Sequence, residues 1–273
     1  MFWEELTAKT FADAVEKSQR VCLLPIGVME RHGDHLPLGT DLYLARTVAA
    51  RAAELEPVVI FPPYYFSQIF EAMHHPGTVA LSSTLQMQVL QAVCDEIARN
   101  GFTKIVLLNG HGGNDFFLRY FCQTQLERPK NYAVYLLDRG GAEVAEVMEQ
   151  HAQSKFDWHG GEWETSTMLA ARPDLVDMDE ARRQPPAWGE PRFDHMQGAY
   201  TFIYWYARFP DHYAGDGACA TEEKGRLMLE AQAKFAAEMI RKIKADGATL
   251  SLQNEFFGRV GKPEYRTDRS DQR

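Results

Sequence analysis

A chain of 273 residues with 45% hydrophobic and 25% charged residues has the makeup of a globular protein that can bury a large core. Its net charge of -9 at pH 7 argues against a nucleic-acid partner, because following a phosphate backbone takes a surplus of Lys and Arg. No apolar stretch approaches the roughly 20 residues of a membrane helix, and the opening MFWEELTAKTF is acidic and amphipathic rather than basic and then apolar, so no membrane contact and a cytosolic location are expected.

Val21 to Ile26, VCLLPI, is a short apolar run of the kind shown by a strand buried on both faces, and it ends at Gly27. The segment MERHGDHLPLGTD, residues 29–41, is then a loop after a strand. From Asp41, the residues Leu42, Ala45, Val48, Ala49, Ala52 and Leu55 recur at helical spacing. Val58 to Phe61 reads as a second strand stopped by Pro62 and Pro63. Ser83-Thr84-Leu85-Gln86 has the spacing of a capping box, and the helix it opens runs to the stop at Asn100-Gly101. Lys104 to Asn109 is a strand, GHGGN a loop, Asp115 to Leu126 a helix and Tyr132 to Leu137 another strand. Strands alternating with helices imply an α/β fold with a largely parallel sheet covered on both faces. Arg172 to Gly217 is rich in Pro, Gly and aromatics and reads as a long irregular segment. Thr221 to Ala245 is a long helix with an apolar stripe. A single domain is expected over residues 1–262, followed by a polar tail, 263–273, with the composition of a disordered end. The cysteines, Cys22, Cys94, Cys122 and Cys219, lack CxxC spacing and read as buried free thiols.

Binding crevices of open α/β sheets lie beyond the carboxyl ends of the strands. Three polar clusters meet that criterion or can reach it: Glu30, His32, His35 and Asp41; Asn109 to Asn114 around His111; and Trp158 to Ser166 with His159, Glu162 and Glu164. Each has an ordinary explanation when taken alone. Glu30 and His32 can be a solvated surface pair, His111 a histidine in a glycine turn, and the two glutamates acids favoured at a helix N-terminus. Together they place imidazoles and carboxylates repeatedly after apolar strands, where structure alone does not ask for them, and this points to a metal site. Histidine and carboxylate without cysteine suits Zn, Mn or Fe. A carboxylate can bridge two cations, which makes a two-metal hydrolytic centre the chemistry to expect.

The segments PIGVMERHGDHLPLGTD, HPGTVALS (His75 to Ser82), LLNGHGGN (Leu107 to Asn114), HGGEWETS (His159 to Ser166) and GD…ATEEKG (Gly215 to Gly225) resemble, in order, the signature blocks of the creatininase (creatinine amidohydrolase) family. The resemblance spans roughly residues 20 to 230. It implies a three-layer α/β/α sandwich with two divalent metal ions per chain, assembled into homo-oligomers such as hexamers, that hydrolyses C–N bonds of small and often cyclic amides. It further implies Glu30, His32, Asp41, His111 and Glu164 as metal ligands, Asp41 as the bridging one, and His159 as the proton shuttle. His35 belongs to the motif but not to the usual ligand set. Trp158, His75 and Asn114 are candidate substrate contacts, and Trp158, Trp163, Tyr200, Tyr204, Trp205 and Tyr206 are candidate pocket walls, with core packing an equal alternative for each. Arg31, Asp34 and Gly160 depart from the family pattern beside the ligands, where the first two can alter the pocket's charge and make creatinine itself a doubtful substrate.

The implied mechanism is attack by a metal-bridging hydroxide on a carbonyl carbon, with His159 protonating the leaving nitrogen; its ordinary pKa of about 6.5 suits that task. Two other readings remain: opening of a cyclic ketone or lactone, as in polyol breakdown, and a metal-binding oligomer without catalysis.

Overall fold

The computed structural model describes residues 1–196 and 198–261; the expected tail, 263–273, lies outside the described residues. At its centre is a parallel sheet of strands β1 (Val21–Ile26), β2 (Val59–Ile60), β3 (Lys104–Asn109) and β4 (Ala133–Leu137), in the order β2-β1-β3-β4. The helices are α1 (Ala8–Lys17), α2 (Thr40–Leu55), α3 (Ser83–Arg99), α4 (Asn114–Thr124), α5 (Ala142–His151), α6 (Glu162–Ala171), α7 (Met178–Arg183), α8 (Tyr204–Arg208), α9 (Glu222–Ala245) and α10 (Thr249–Val260).

Side chains alternate across a strand, and the two faces of β1 fill two separate cores. Cys22, Leu24 and Ile26 pack with Ala14 and Val15 of α1, Leu90, Cys94 and Ile97 of α3, and Leu118 and Phe121 of α4. Val21 and Leu23 pack with Val48, Ala49 and Ala52 of α2 and with Leu229, Ala236 and Ile240 of α9. The result is the α/β/α sandwich.

Several local expectations change. The strand expected over Val58 to Phe61 is limited to Val59–Ile60, because Pro62 and Pro63 have no N–H to extend the ladder. The other side of β2 is paired by the chain's first residues: Ile60 N–H donates to the Met1 carbonyl at 2.8 Å. The cap of α3 is Ser82 rather than Ser83. Its hydroxyl accepts from Leu85 N–H, and Gln86 turns back to donate to the Leu81 carbonyl at 2.8 Å instead of closing a capping box. Helix α4 begins at Asn114 and ends at Thr124, with a single 3-10 turn carrying the chain to Glu127. The segment expected to be irregular holds α7 and α8. All four cysteines are free thiols, but only Cys22 and Cys94 are buried; Cys122 and Cys219 are partly exposed.

Candidate metal centre

The carboxyl ends of β1 and β3 lead into the loops that carry Glu30, His32 and His111, and the first turn of α2 carries Asp41. Two glycines let these pieces approach. A Cβ on Gly27 would stand 2.6 Å from the backbone nitrogen of Leu42, and one on Gly110 would stand 2.8 Å from the Ala45 Cβ and 3.0 Å from the Asp41 carbonyl oxygen. The strand ends therefore rest against the start of α2, and this brings His111 to Asp41. Glu164 arrives from the first turn of α6, where Gly160 N–H donates to its Oε2 at 2.6 Å.

Glu30, His32, Asp41 and His111 are buried. Glu30 Oε1 and Asp41 Oδ2 lie 2.8 and 3.0 Å from His111 Nδ1, yet both oxygens have no hydrogen-bond partner. Around the other oxygen of Asp41, Oδ1 lies 3.2 Å from His32 Nε2, which is 3.7 Å from Glu164 Oε2. Glu30, Asp41 and His111 thus form one group whose donor atoms converge, and His32, Asp41 and Glu164 form a second. Bonds of about 2.0–2.2 Å to one cation place ligand atoms about 3 to 3.5 Å apart, close to the 2.8 and 3.0 Å that separate His111 Nδ1 from the two carboxylate oxygens. His32 is also set in the tautomer a ligand needs. Its Nδ1–H donates to the Glu30 carbonyl at 3.3 Å, so Nε2 is the nitrogen turned to the carboxylates and the one that would offer its lone pair to a cation once its proton is displaced.

The charges agree with this reading. Burial opposes protonation of His32, but Asp41, Glu164 and Glu30 outweigh it and raise its pKa to about 10. His111 is likewise raised against burial by Glu30 and Asp41. Burial also opposes ionisation of Glu30, yet His111 and His159 hold it at about 2. Asp41 is lowered by His32 and His111 against the same penalty. The centre is built to stabilise positive charge where the carboxylates and imidazoles meet, and a divalent cation fits it.

His159 sits beside this centre, its ring centroid 4.2 Å from that of His32. Its Nε2 lies 2.7 Å from the Arg31 carbonyl oxygen, which can only accept, so Nε2 carries the proton and Nδ1 faces Glu164 Oε2 at 3.9 Å. Burial pushes its pKa well below 6.5, helped by the charge on His32. His159 also groups with Glu30 and His32 at metal-ligand spacing. The backbone of His159 is pinned by paired hydrogen bonds with Ala214, and this pairing delivers a residue that sequence reasoning missed. His212, with φ +51°, is buried; it accepts from Trp205 Nε1–H at Nδ1, 2.8 Å away, and its Nε2 meets Glu30 Oε2. Because Nδ1 accepts, Nε2 donates, which holds one oxygen of Glu30 and leaves Oε1 turned to His111. Only the dipeptide Asp211-His212 ahead of the GD block could have signalled it.

The other expected contacts are dispersed. Trp158, 51% exposed, lines a cavity of about 770 Å³ together with Glu164, Trp163 and Trp205. Tyr200, Tyr204 and Tyr206 are not among its lining residues. Asn114 accepts from Ser67 Oγ and from Gln68 N–H at 3.2 Å and donates to Asn109 Oδ1 at 3.3 Å, which ties α4 to the β3 loop. His75 meets the Pro210 carbonyl at 3.1 Å and is not among the residues lining the cavity. His35 Nε2 meets Thr165 Oγ1 at 2.8 Å, joining its loop to α6. Arg31 and Asp34 pair with each other at 2.8 Å, so the two departures from the motif largely cancel in charge.

The Creatininase family profile, "Creatinine amidohydrolase", matches residues 4–240. The chain belongs to the creatininase family. It is 30% identical over 257 residues to a creatinine amidohydrolase of Pseudomonas putida, covering 88% of this chain and 96% of that one. It is 33% identical over 164 residues to a mycofactocin precursor peptide peptidase of Mycolicibacterium smegmatis, covering 58% and 60% of the two chains. It is 23% identical over 269 residues to a 3-dehydro-scyllo-inosose hydrolase of Thermotoga maritima, covering 89% and 83%. Among solved structures, a mutant creatininase of "Zn-Zn type" superposes with a TM-score of 0.74 at 28% identity, covering 88% of this chain and 97% of its own. "Creatininase Mn" superposes with a TM-score of 0.70 at the same identity and coverage. The chain is thus a metal-dependent hydrolase of the creatininase family.

Proposed function

We propose that this creatininase-family hydrolase cleaves a C–N bond of a small amide, cyclic amide or formamide at a centre for two divalent cations, Zn, Mn or Fe. Glu30, Asp41 and His111 would hold one cation, and His32, Asp41 and Glu164 the other. The observation that carries the reading is the division of Asp41, whose Oδ2 faces His111 and whose Oδ1 faces His32. When bound, the cations supply Lewis acidity that activates water and polarises a carbonyl.

The chain's own groups supply the rest. His159, neutral and anchored through Nε2–H to the Arg31 carbonyl, takes a proton at Nδ1 and returns it to the leaving nitrogen. His212 holds Glu30 Oε2, and Trp158 and Trp205, stacked at 6.5 Å between centroids, present a flat wall for a planar substrate. Phe116, Tyr200 and Phe202 are 74%, 79% and 90% exposed, and Phe116 lines the cavity, which favours a homo-oligomer that covers them. Among the described residues no helix is long and apolar enough to cross a membrane.

The likeness to an inosose hydrolase over most of both chains favours a second reading, opening of a cyclic ketone. A zinc- or manganese-supplemented screen of cyclic amides, formamides and cyclic ketones, followed by mass spectrometry, separates them. Amine release supports the first reading, and ring opening without amine the second. No turnover of any class contradicts both.

A further inference from the structure

We propose that Arg139 forms an anion subsite in the cavity wall and that the substrate is an amide bearing a carboxylate, an inference that rests on the hydrolase reading above. Arg139 follows β4 on the loop to α5, and its guanidinium lies over Gly112, the residue after His111. The missing side chain makes the room: a Cβ on Gly112 would stand 2.9 Å from Arg139 Nη2. The loop is tied to α9 by Gln232 Nε2–H, which donates to the Arg139 carbonyl at 3.3 Å. A positive charge therefore sits one residue from a candidate metal ligand, in the cavity that Glu164 also lines.

Among the described residues lining the cavity, Arg139 is the only basic one, and the acids there already have donors. Asp115 accepts from Asn109 Nδ2 at 3.1 Å, Asp138 is paired with Arg119 at 2.5 Å, Asp157 accepts from Trp163 N–H at 2.7 Å and Glu164 from Gly160 N–H at 2.6 Å. Among the described residues the guanidinium of Arg139 makes no ion pair within 4 Å and no side-chain hydrogen bond, and its charge acts at longer range on Glu164, whose ionisation it favours. A planar fork of donors without a protein acceptor, facing a cavity, matches the two oxygens of a carboxylate. The same cavity is lined by Trp158, Trp163 and Trp205, which fit a flat apolar body. The ligand these walls select has an apolar or aromatic part, an amide facing the metal centre and a carboxylate toward Arg139.

The test uses two probes that differ in charge alone in this respect, N-benzoylglycine and N-benzoylglycinamide, titrated by tryptophan fluorescence into the zinc-reconstituted protein. The acid is expected to bind about tenfold or more tightly than the amide, the size of a charge-assisted hydrogen-bond pair. Arg139→Gln is expected to bring the ratio near one and Arg139→Glu to invert it, with unchanged melting temperatures because the side chain is exposed. Equal binding of the two probes, no saturable binding of the acid, or a preference that survives in either variant overturns the subsite. Amine release is scored separately. A charge preference that depends on Arg139 without amide cleavage of any substrate overturns the amide reading and leaves the subsite standing, whereas cleavage without the preference does the reverse.

Discussion

Asp41 is the residue on which the centre turns, because its two oxygens face different ligand groups. Asp41→Ala is expected to lose more metal than His32→Ala, measured by elemental analysis of the purified variants; equal losses would contradict the bridging role. His159→Ala is expected to keep its fold and metal while turnover falls roughly 10²- to 10⁴-fold, the usual share of acid-base catalysis. Metal lost together with activity would make His159 a ligand, and near-normal turnover would make it a packing residue. His212→Ala should weaken metal binding about 10- to 100-fold in competition with a chelator, the usual cost of losing a partner that orients a ligand. Metal binding unchanged in that variant would remove His212 from the centre. The candidate ligands were legible in the sequence because each sits in a short contiguous block after a strand or at a helix start. His212 was not, since its approach to Glu30 depends on the pairing of residues 159 and 214 within a segment that shows no periodicity.

At the scale of elements, the crossing of α6 and α9 holds Glu164 in place. Gly225 of α9 lies against the backbone of α6 so closely that an added Cβ would stand 1.8 Å from the Ser166 carbonyl oxygen. Gly225→Ala is expected to destabilise the protein by about 1–3 kcal/mol, the range for overpacking a close contact, and to lower metal affinity as α6 shifts. Denaturant unfolding and chelator competition test the two effects, and a neutral result in both would separate α6 position from the site. At α3, Ser82→Ala should cost about 1 kcal/mol as the loss of an N-cap, and Ser83→Ala much less. The reverse order would restore the capping box read from sequence. The buried strands β1 and β3 and the long amphipathic helices were legible because burial on both faces, or on one stripe, writes itself as apolar periodicity. Helices α5 and α10 escaped notice for the converse reason: Val144 is the only buried residue of α5, and α10 has none.

For the whole molecule, the centre links stability to pH. His32, raised to about 10 from 6.5, stabilises the chelator-treated fold below about pH 6.5, and that contribution is lost as pH rises through 10. Glu30, held at about 2 against 4.5, contributes above pH 4.5 and loses its share as pH falls toward 2. The chelated protein should therefore be most stable between these limits, and its melting temperature should fall on the alkaline side. Cations that take the place of the His32 and His111 protons should flatten that fall, and a chelated protein with no alkaline loss would contradict the charge balance described here. The most direct measurement is metal content per chain, by elemental analysis after gentle purification and again after reconstitution with zinc or manganese. The division of Asp41 between two ligand groups predicts about two ions per chain in the wild type, as in two-metal hydrolases. No more than one ion per chain under both conditions would contradict it.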